Sequence, residues 1–181
     1  RDITAEIDRE NRIITDLLTL VKMDKKNADL QIQHMSINQL LEDILKRLRP
    51  IADKRNIDLI LDSFRPVEAD VDELKFTSAI SNLVENAIKY NQPGGSVQIT
   101  ISRSNGKAIL RVADTGCGIP DEYRTSIFEP FFRVDKSRSR EMGGAGLGLA
   151  LVREIAALHG GTVQDEPAEG AGTVFTVALP M

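Results

Sequence analysis

Ser96-Val-Gln-Ile-Thr-Ile-Ser-Arg103 and Lys107-Ala-Ile-Leu-Arg-Val-Ala113, joined through Asn105-Gly106, read as two strands folded back on each other. Val97, Ile99 and Ile101 alternate with polar residues, and Ala108, Leu110 and Val112 do the same on the return, the period of half-buried strands. Asn-Gly is a favoured hairpin turn because both residues tolerate positive φ. Working outward, the flanks alternate between strand and helix. Leu30–Met35 has a strand's period, and Ser36 with Gln39 predicts a capping box before a helix over Ile37–Lys54. Ile57–Leu61 is a short strand. Asp70 with Glu73 predicts the opening of a second helix, which ends near Tyr90 ahead of Pro93-Gly-Gly95. Downstream, Gly146–His159 predicts a third helix stopped by Gly160-Gly161, and Thr162–Gln164 and Thr173–Leu179 close the chain as strands. Antiparallel pairing among interleaved helices predicts an α+β fold, a two-layer sandwich whose mixed sheet three helices cover on one face.

The amino-terminal stretch reads differently. Ile7, Ile14 and Val21 recur every seven residues, with Ile3, Leu17 and Leu18 on the same side, a coiled-coil-like seam. A polar break at Asp24-Lys-Lys-Asn-Ala-Asp29 then predicts a linker, dividing the chain into 1–26 and 27–181. Packing of this helix on its own domain is the competing expectation. The chain starts at Arg1 inside the helical pattern, as expected for a piece of a longer protein.

A chain of 181 residues with 41% hydrophobic and 28% charged residues suits one globular domain and an appendage. A formal net charge of -4 argues against nucleic acid as the main partner. No run has the length of a membrane span, and no signal peptide opens the chain. The one cysteine, Cys117, excludes an internal disulfide.

Four stretches carry the chemistry. Asn82 and Asn86, four apart, share a face of the second helix, and an asparagine carbonyl is a hard oxygen ligand for magnesium that leaves room for phosphates. Lys89 and Tyr90 add a cation and a hydroxyl within reach of the same region. Asp114-Thr-Gly-Cys-Gly118 places a carboxylate at a strand end, suited to accept from the exocyclic amine of adenine and not from the carbonyl of guanine. Phe128, Phe131 and Phe132 lie in the long connection of about 120–145, which holds one short helical piece (Tyr123–Phe128) and is expected to form a lid, with Arg133, Lys136, Arg138 and Arg140 after them as phosphate contacts or a solvated face. Gly143-Gly-Ala-Gly-Leu-Gly-Leu149 precedes the third helix, where glycine-rich backbone N–H groups and the helix dipole form an anion site. A dinucleotide fingerprint fails because position 149 is leucine, and a P-loop fails because the one Gly-Lys pair is followed by Ala108. The ordered set predicts ATP with magnesium. Singly, each stretch has an ordinary reading: exposed asparagines, a plain turn, a small satellite core.

In order and spacing, the four stretches resemble the N, G1, F and G2 boxes of bacterial sensor histidine kinases, and the resemblance runs from Arg1 to Met181. It implies a Bergerat-type ATP-binding domain, with residues 1–26 as the second helix of a dimerisation hairpin. It implies Asn86 as magnesium ligand and Asn82, Lys89, Tyr90, Arg133 and Arg138 as the catalytic group near the phosphates. Asp114, Gly116, Gly118, Ile119, Phe128, Gly144, Gly146, Leu147 and Gly148 would hold the nucleotide. The implied partners are the protein's own homodimeric phosphoacceptor domain and a response regulator, in a cytoplasmic domain of a membrane-anchored protein.

Two departures sharpen the expectation. His34 and His159 are the chain's two histidines, and neither lies in a phosphoacceptor motif, so the acceptor is expected elsewhere and the chain should bind ATP without phosphorylating itself. One turn before Asn86, hydrolysing relatives of the gyrase type carry a water-activating glutamate. Here that residue is Asn82, which favours phosphoryl donation to histidine over hydrolysis. A nucleotide-binding regulatory module and an anti-sigma-type serine kinase remain the alternatives.

Overall fold

The computed structural model describes residues 14, 30–129, 148–168 and 171–181. The heptad seam other than Ile14, the linker, and Arg133, Arg138, Gly144, Gly146 and Leu147 lie outside the described residues, as does most of the expected lid.

Five strands form a mixed sheet: β2 (Asp58–Asp62), β4 (Ser96–Ser104), β5 (Lys107–Asp114), β6 (Thr162–Pro167) and β7 (Thr173–Pro180). Their order is β2-β4-β5-β7-β6, with β2 parallel to β4 and every other pair antiparallel. Helices α1 (Ile37–Lys54), α2 (Glu73–Lys89) and α3 (Gly148–Leu158) pack on this sheet, and the expected two-layer sandwich is what forms. Val97, Ile99, Ile101, Leu110, Val112, Phe175 and Val177 meet Leu41, Ile44, Leu83, Val84, Leu151 and Ile155 in one buried core. Among the described residues no helix is long and apolar enough to cross a membrane.

Local signals set the element ends. Asn105 and Gly106 take φ of 51° and 75°, so the hairpin turn forms where expected. Ser36 caps α1 by accepting from Gln39 N, while the Gln39 amide turns forward to Asp43 at 3.1 Å, leaving half of a capping box. Past α3, Gly160 adopts φ of 74°, with Gly161 N bonded to Ala156 O and Gly160 N to Ala157 O, a Schellman stop. Asn56 serves α1 in the same way at φ 56°.

Three expectations need correction. Asp70 does not open the second helix: it lies within a further strand, β3 (Glu68–Asp72), and Asp72 caps α2 by accepting from Lys75 N at 3.0 Å. β3 pairs antiparallel with β1 (Ile32–Ser36), which buries Ala69 and Val71, so the helix starts only where this ribbon ends. Tyr123–Phe128 is not a helical piece: a short 3-10 turn at Asp121–Tyr123 leads into further turns that carry Ile127 and Phe128 into the core. β6 runs on to Pro167, beyond the expected end at Gln164.

Candidate active site

Asp114 is the last residue of β5, half-buried where the sheet gives way to the Thr115–Gly118 loop. Its Oδ1 accepts from Gly116 N at 2.9 Å and from Thr173 N at 3.3 Å. Both bonds fall on one oxygen, which fixes the carboxylate plane and leaves Oδ2 as an acceptor for a ligand donor. Burial pushes this carboxyl above its ordinary range, and the two N–H bonds oppose the shift.

Backbone crowding explains the glycines around it. A Cβ on Gly116 would lie 2.4 Å from Tyr90 O, so only glycine lets the loop rest on the end of α2. A Cβ on Gly172 would lie 2.0 Å from Asp114 O, and the residue holds φ of 104°. Asn91, buried at the end of α2, donates to Ser96 O at 2.9 Å, while its Oδ1 accepts from Gln92 N and the Thr115 hydroxyl. Thr115 Oγ1 in turn accepts from Ser96 N at 2.9 Å. This network holds the Asp114 loop against α2.

The α2 residues face the same region. Asn86 is half-buried, and its side chain makes no hydrogen bond to the described residues. Asn82 donates to Ser78 O at 2.9 Å, and its Oδ1 lies 3.0 Å from where a Cβ on Gly148 would stand. The first turn of α3 therefore touches α2 at the expected asparagine. Lys89 and Tyr90 end the helix half-buried, with Arg55 Nη2 donating to Lys89 O at 3.1 Å. Ile119 packs against the core, and Phe128 is buried with its ring edge-on to Phe175 at 6.1 Å, anchoring the segment's root to the sheet.

Asn82, Asn86, Tyr90, Asp114, Gly116, Gly118 and Gly148 thus converge where the α2 face, the end of β5 and the start of α3 meet. Sequence reasoning missed Asn91, Thr115, Gly172 and Thr173. The signal for Gly172 and Thr173 was a glycine before a strand, whose meaning depends on Asp114 far upstream. Both histidines have hydrogen-bond partners within the fold. On β1, His34 Nδ1 pairs with Asp70 Oδ1 at 2.8 Å and Nε2 lies 3.4 Å from Glu68 Oε2; these two carboxylates, Asp70 first, raise its pKa. His159 donates Nδ1–H to Ile155 O at 2.7 Å, and its Nε2 accepts from Asp72 N at 3.0 Å. Cys117 is exposed in the loop.

The family model for histidine kinase-, DNA gyrase B- and HSP90-like ATPases matches residues 71–181. The sensor histidine kinase RppB of Synechocystis sp. is 38% identical over 174 residues, covering 96% of this chain. The chain spans 38% of the length of that relative. Among solved structures, the histidine kinase ThkA in complex with the response regulator protein TrrA superposes with a TM-score of 0.79 at 27% identity, over 98% of this chain and 49% of that one. Full-length ShkA in complex with AMPPNP gives a TM-score of 0.81 at 28% identity, over 93% of this chain and 35% of that one. The chain belongs to the histidine kinase-, DNA gyrase B- and HSP90-like ATPase family, as a catalytic ATP-binding domain of the sensor histidine kinase kind.

Proposed function

We propose that this chain binds ATP with magnesium and donates the γ-phosphoryl group to a histidine on a dimerisation domain of the longer protein. The observation that carries the reading is the Asp114 carboxylate, held by two N–H groups on one oxygen with the other left to accept from adenine. Gly116 and Gly172 leave backbone room that a Cβ would fill. The side chain of Asn86, without a partner among the described residues, supplies a neutral oxygen suited to magnesium. The bound metal would offset charge on the phosphates. Lys89 and Tyr90, with Arg133 and Arg138, are proposed to steady those phosphates, and Ile119 and Gly118 to wall the base. Gly144, Gly146, Leu147 and Gly148 are proposed as the cradle at the start of α3. Phe128 fixes the root of the intervening connection.

In the transfer step an imidazole nitrogen of the acceptor attacks phosphorus through its lone pair, the bond to the β–γ bridging oxygen breaks, and ADP leaves. That nucleophile needs no deprotonation, so the pocket needs positioning and charge stabilisation, not a general base. Asn82 in the turn before Asn86 agrees with this, since an amide does not activate water. The acceptor is proposed to lie outside this chain, since neither histidine stands in a phosphoacceptor motif and both ring nitrogens of His159 are engaged. Residues 1–26 are proposed as part of the dimerisation hairpin, ahead of a catalytic domain over 27–181. A response regulator, the kind of partner in the ThkA complex, would then receive the phosphoryl group, in a cytoplasmic domain of a membrane-anchored protein.

Incubating the chain with labelled ATP, magnesium and a separately supplied dimerisation domain tests the proposal. Acid-labile, base-stable label on the acceptor is the expected product. No nucleotide binding by calorimetry would refute the reading, and an acid-stable product would identify a hydroxyl acceptor instead.

A further inference from the structure

Helices α2 and α3 run antiparallel and are pinned to each other at two places. At one, Gly148 approaches Asn82 so closely that a Cβ would lie 3.0 Å from Oδ1. At the other, His159, which closes α3, accepts from the backbone N–H of Asp72, the cap of α2, at 3.0 Å. From Asp72 to Asn82 is ten residues and from Gly148 to His159 is eleven. At about 1.5 Å per residue these spans are about 15 and 16.5 Å, so the two contacts match to within about one residue's rise, and an axial slide of α3 would lengthen the His159–Asp72 bond and shift Gly148 along Asn82.

The His159 pin is built to hold. Its Nδ1–H is committed to Ile155 O at 2.7 Å, which fixes the ring's tautomer and presents the Nε2 lone pair outward. The ring packs tilted against Phe76 with centroids 6.2 Å apart. Asp72 cannot drift to follow it. The residue is buried, its Oδ1 accepts from Lys75 N, and its Oδ2 accepts from Gln31 N at 2.9 Å and Lys75 Nζ at 3.4 Å. The close-packed apolar seam around Leu83, Val84, Leu151 and Ile155 also holds the helices together, and the polar contact adds a tie of its own. A hydrogen bond at a helix end is specific to one register.

We propose that His159 is a positioning residue for phosphoryl transfer: by fixing the axial register of α3 against α2, it sets the amino terminus of α3 opposite Asn82 and Asn86. The role rests on the kinase reading above, since it matters only if phosphates lie between those groups. It also predicts a division of labour. Asp114 and its loop hang from β5 and the far end of α2, so adenine binding should be largely blind to His159, while the transfer rate should depend on it.

His159→Phe keeps a ring against Phe76 and removes both polar atoms; His159→Gln keeps a donor and an acceptor. We expect His159→Phe to bind ATP within about threefold of the parent yet transfer to a supplied acceptor at least about tenfold more slowly, since 1 Å misplacements cost up to about a hundredfold. His159→Gln should recover most of the rate. In the ligand-free parent, the Asp72 amide should show a scalar coupling across the bond to His159 Nε2, absent in the His159→Phe variant. A folded His159→Phe transferring at the parental rate would overturn the proposal. Should that variant unfold, His159→Gln decides: a parental Asp72 amide shift with transfer lost overturns it, and a shift and rate that move together support it. A parent that neither binds ATP nor transfers refutes the kinase reading itself; an intact parent with an indifferent His159→Phe refutes only the positioning role.

Discussion

Replacing Asp114 with asparagine changes one atom of the proposed base-reading group and leaves its supports in place. Oδ1 can still accept from Gly116 N and Thr173 N, so the loop keeps its shape. The second oxygen becomes an NH₂, and a donor then faces the donor of the adenine amine. A hydrogen bond to a charged acceptor is worth about 1.5–3 kcal/mol. At about 1.4 kcal/mol per factor of ten, ATP affinity should fall by about 10- to 150-fold. Discrimination against GTP should narrow as well, because the new amide can donate to the guanine carbonyl. Stability should move the other way. Burial raises the carboxyl's pKa in the folded state, so the folded protein binds that proton more tightly than the unfolded chain. Stability from this group is therefore lost as pH rises from the unfolded to the folded pKa, and at neutral pH the charge opposes folding. The Asp114→Asn variant should melt at or above the parent. Titration calorimetry with ATP and GTP, paired with thermal melts, reads both signs. Unchanged ATP affinity in a folded variant would refute the base-reading role.

Four further outcomes test the remaining groups. Asn86→Ala should leave metal-free nucleotide binding intact and reduce magnesium-dependent transfer, read by titrating the metal; normal transfer would remove Asn86 as the ligand. Gly172→Ala should cost about 1–3 kcal/mol for the backbone conformation alone, with a Cβ 2.0 Å from Asp114 O added to it, so denaturant melts and ATP affinity should fall together. Arg124 Nε and Asp165 Oδ2 are buried atoms 3.9 Å apart without a hydrogen-bond partner among the described residues, and Nε also lies 3.3 Å from exposed Asp121 Oδ1. Replacing both with leucine should be neutral or stabilising by up to about 4 kcal/mol, whereas Arg124→Leu alone should destabilise; denaturant melts of the two variants decide. Burial alone would raise the Asp72 carboxyl, but N–H bonds from Lys75 and Gln31 and the Lys75 ammonium bring it below its ordinary range. Its stabilisation is present above the unfolded carboxylate pKa and lost as pH falls through the folded one. Asp72→Asn, which still caps a helix, should flatten the acid limb of a stability–pH curve.

What was legible in the sequence was what neighbouring residues decide. The Asn105-Gly106 turn, the Ser36 cap and the Gly160 stop each depend on a few adjacent dihedrals, and each appears where the residues place it. β3 was not legible, since Glu68-Ala-Asp-Val-Asp72 carries three acids and two small or β-branched apolar residues. It is a strand because β1 pairs with it, and that pairing moves the helix cap from Asp70 to Asp72. The site divides in the same way. Asp114, Asn82 and Asn86 stood out because their types and spacing carry chemistry. Thr173 and Gly172 did not, because their duty is to Asp114, with Thr173 N reaching across 59 residues to one carboxylate oxygen.

The same distinction bears on why neither histidine is proposed as the acceptor. An acceptor imidazole must offer a free lone pair to phosphorus and reach the γ-phosphate from outside the pocket. His159 uses its lone pair to accept from Asp72 N, at the end of α3 opposite Gly148. His34 is exposed on β1, where Nδ1 lies 2.8 Å from Asp70 and Nε2 3.4 Å from Glu68, carboxylates that raise its pKa. A donor site that keeps its own histidines engaged in this way does not compete with the incoming acceptor for the phosphoryl group. On the same reading Asn82 acts against water, since position 82 carries an amide that donates to Ser78 O in place of a carboxylate. On the proposed reading, the phosphoryl group is thereby left to a nucleophile that arrives with its own lone pair.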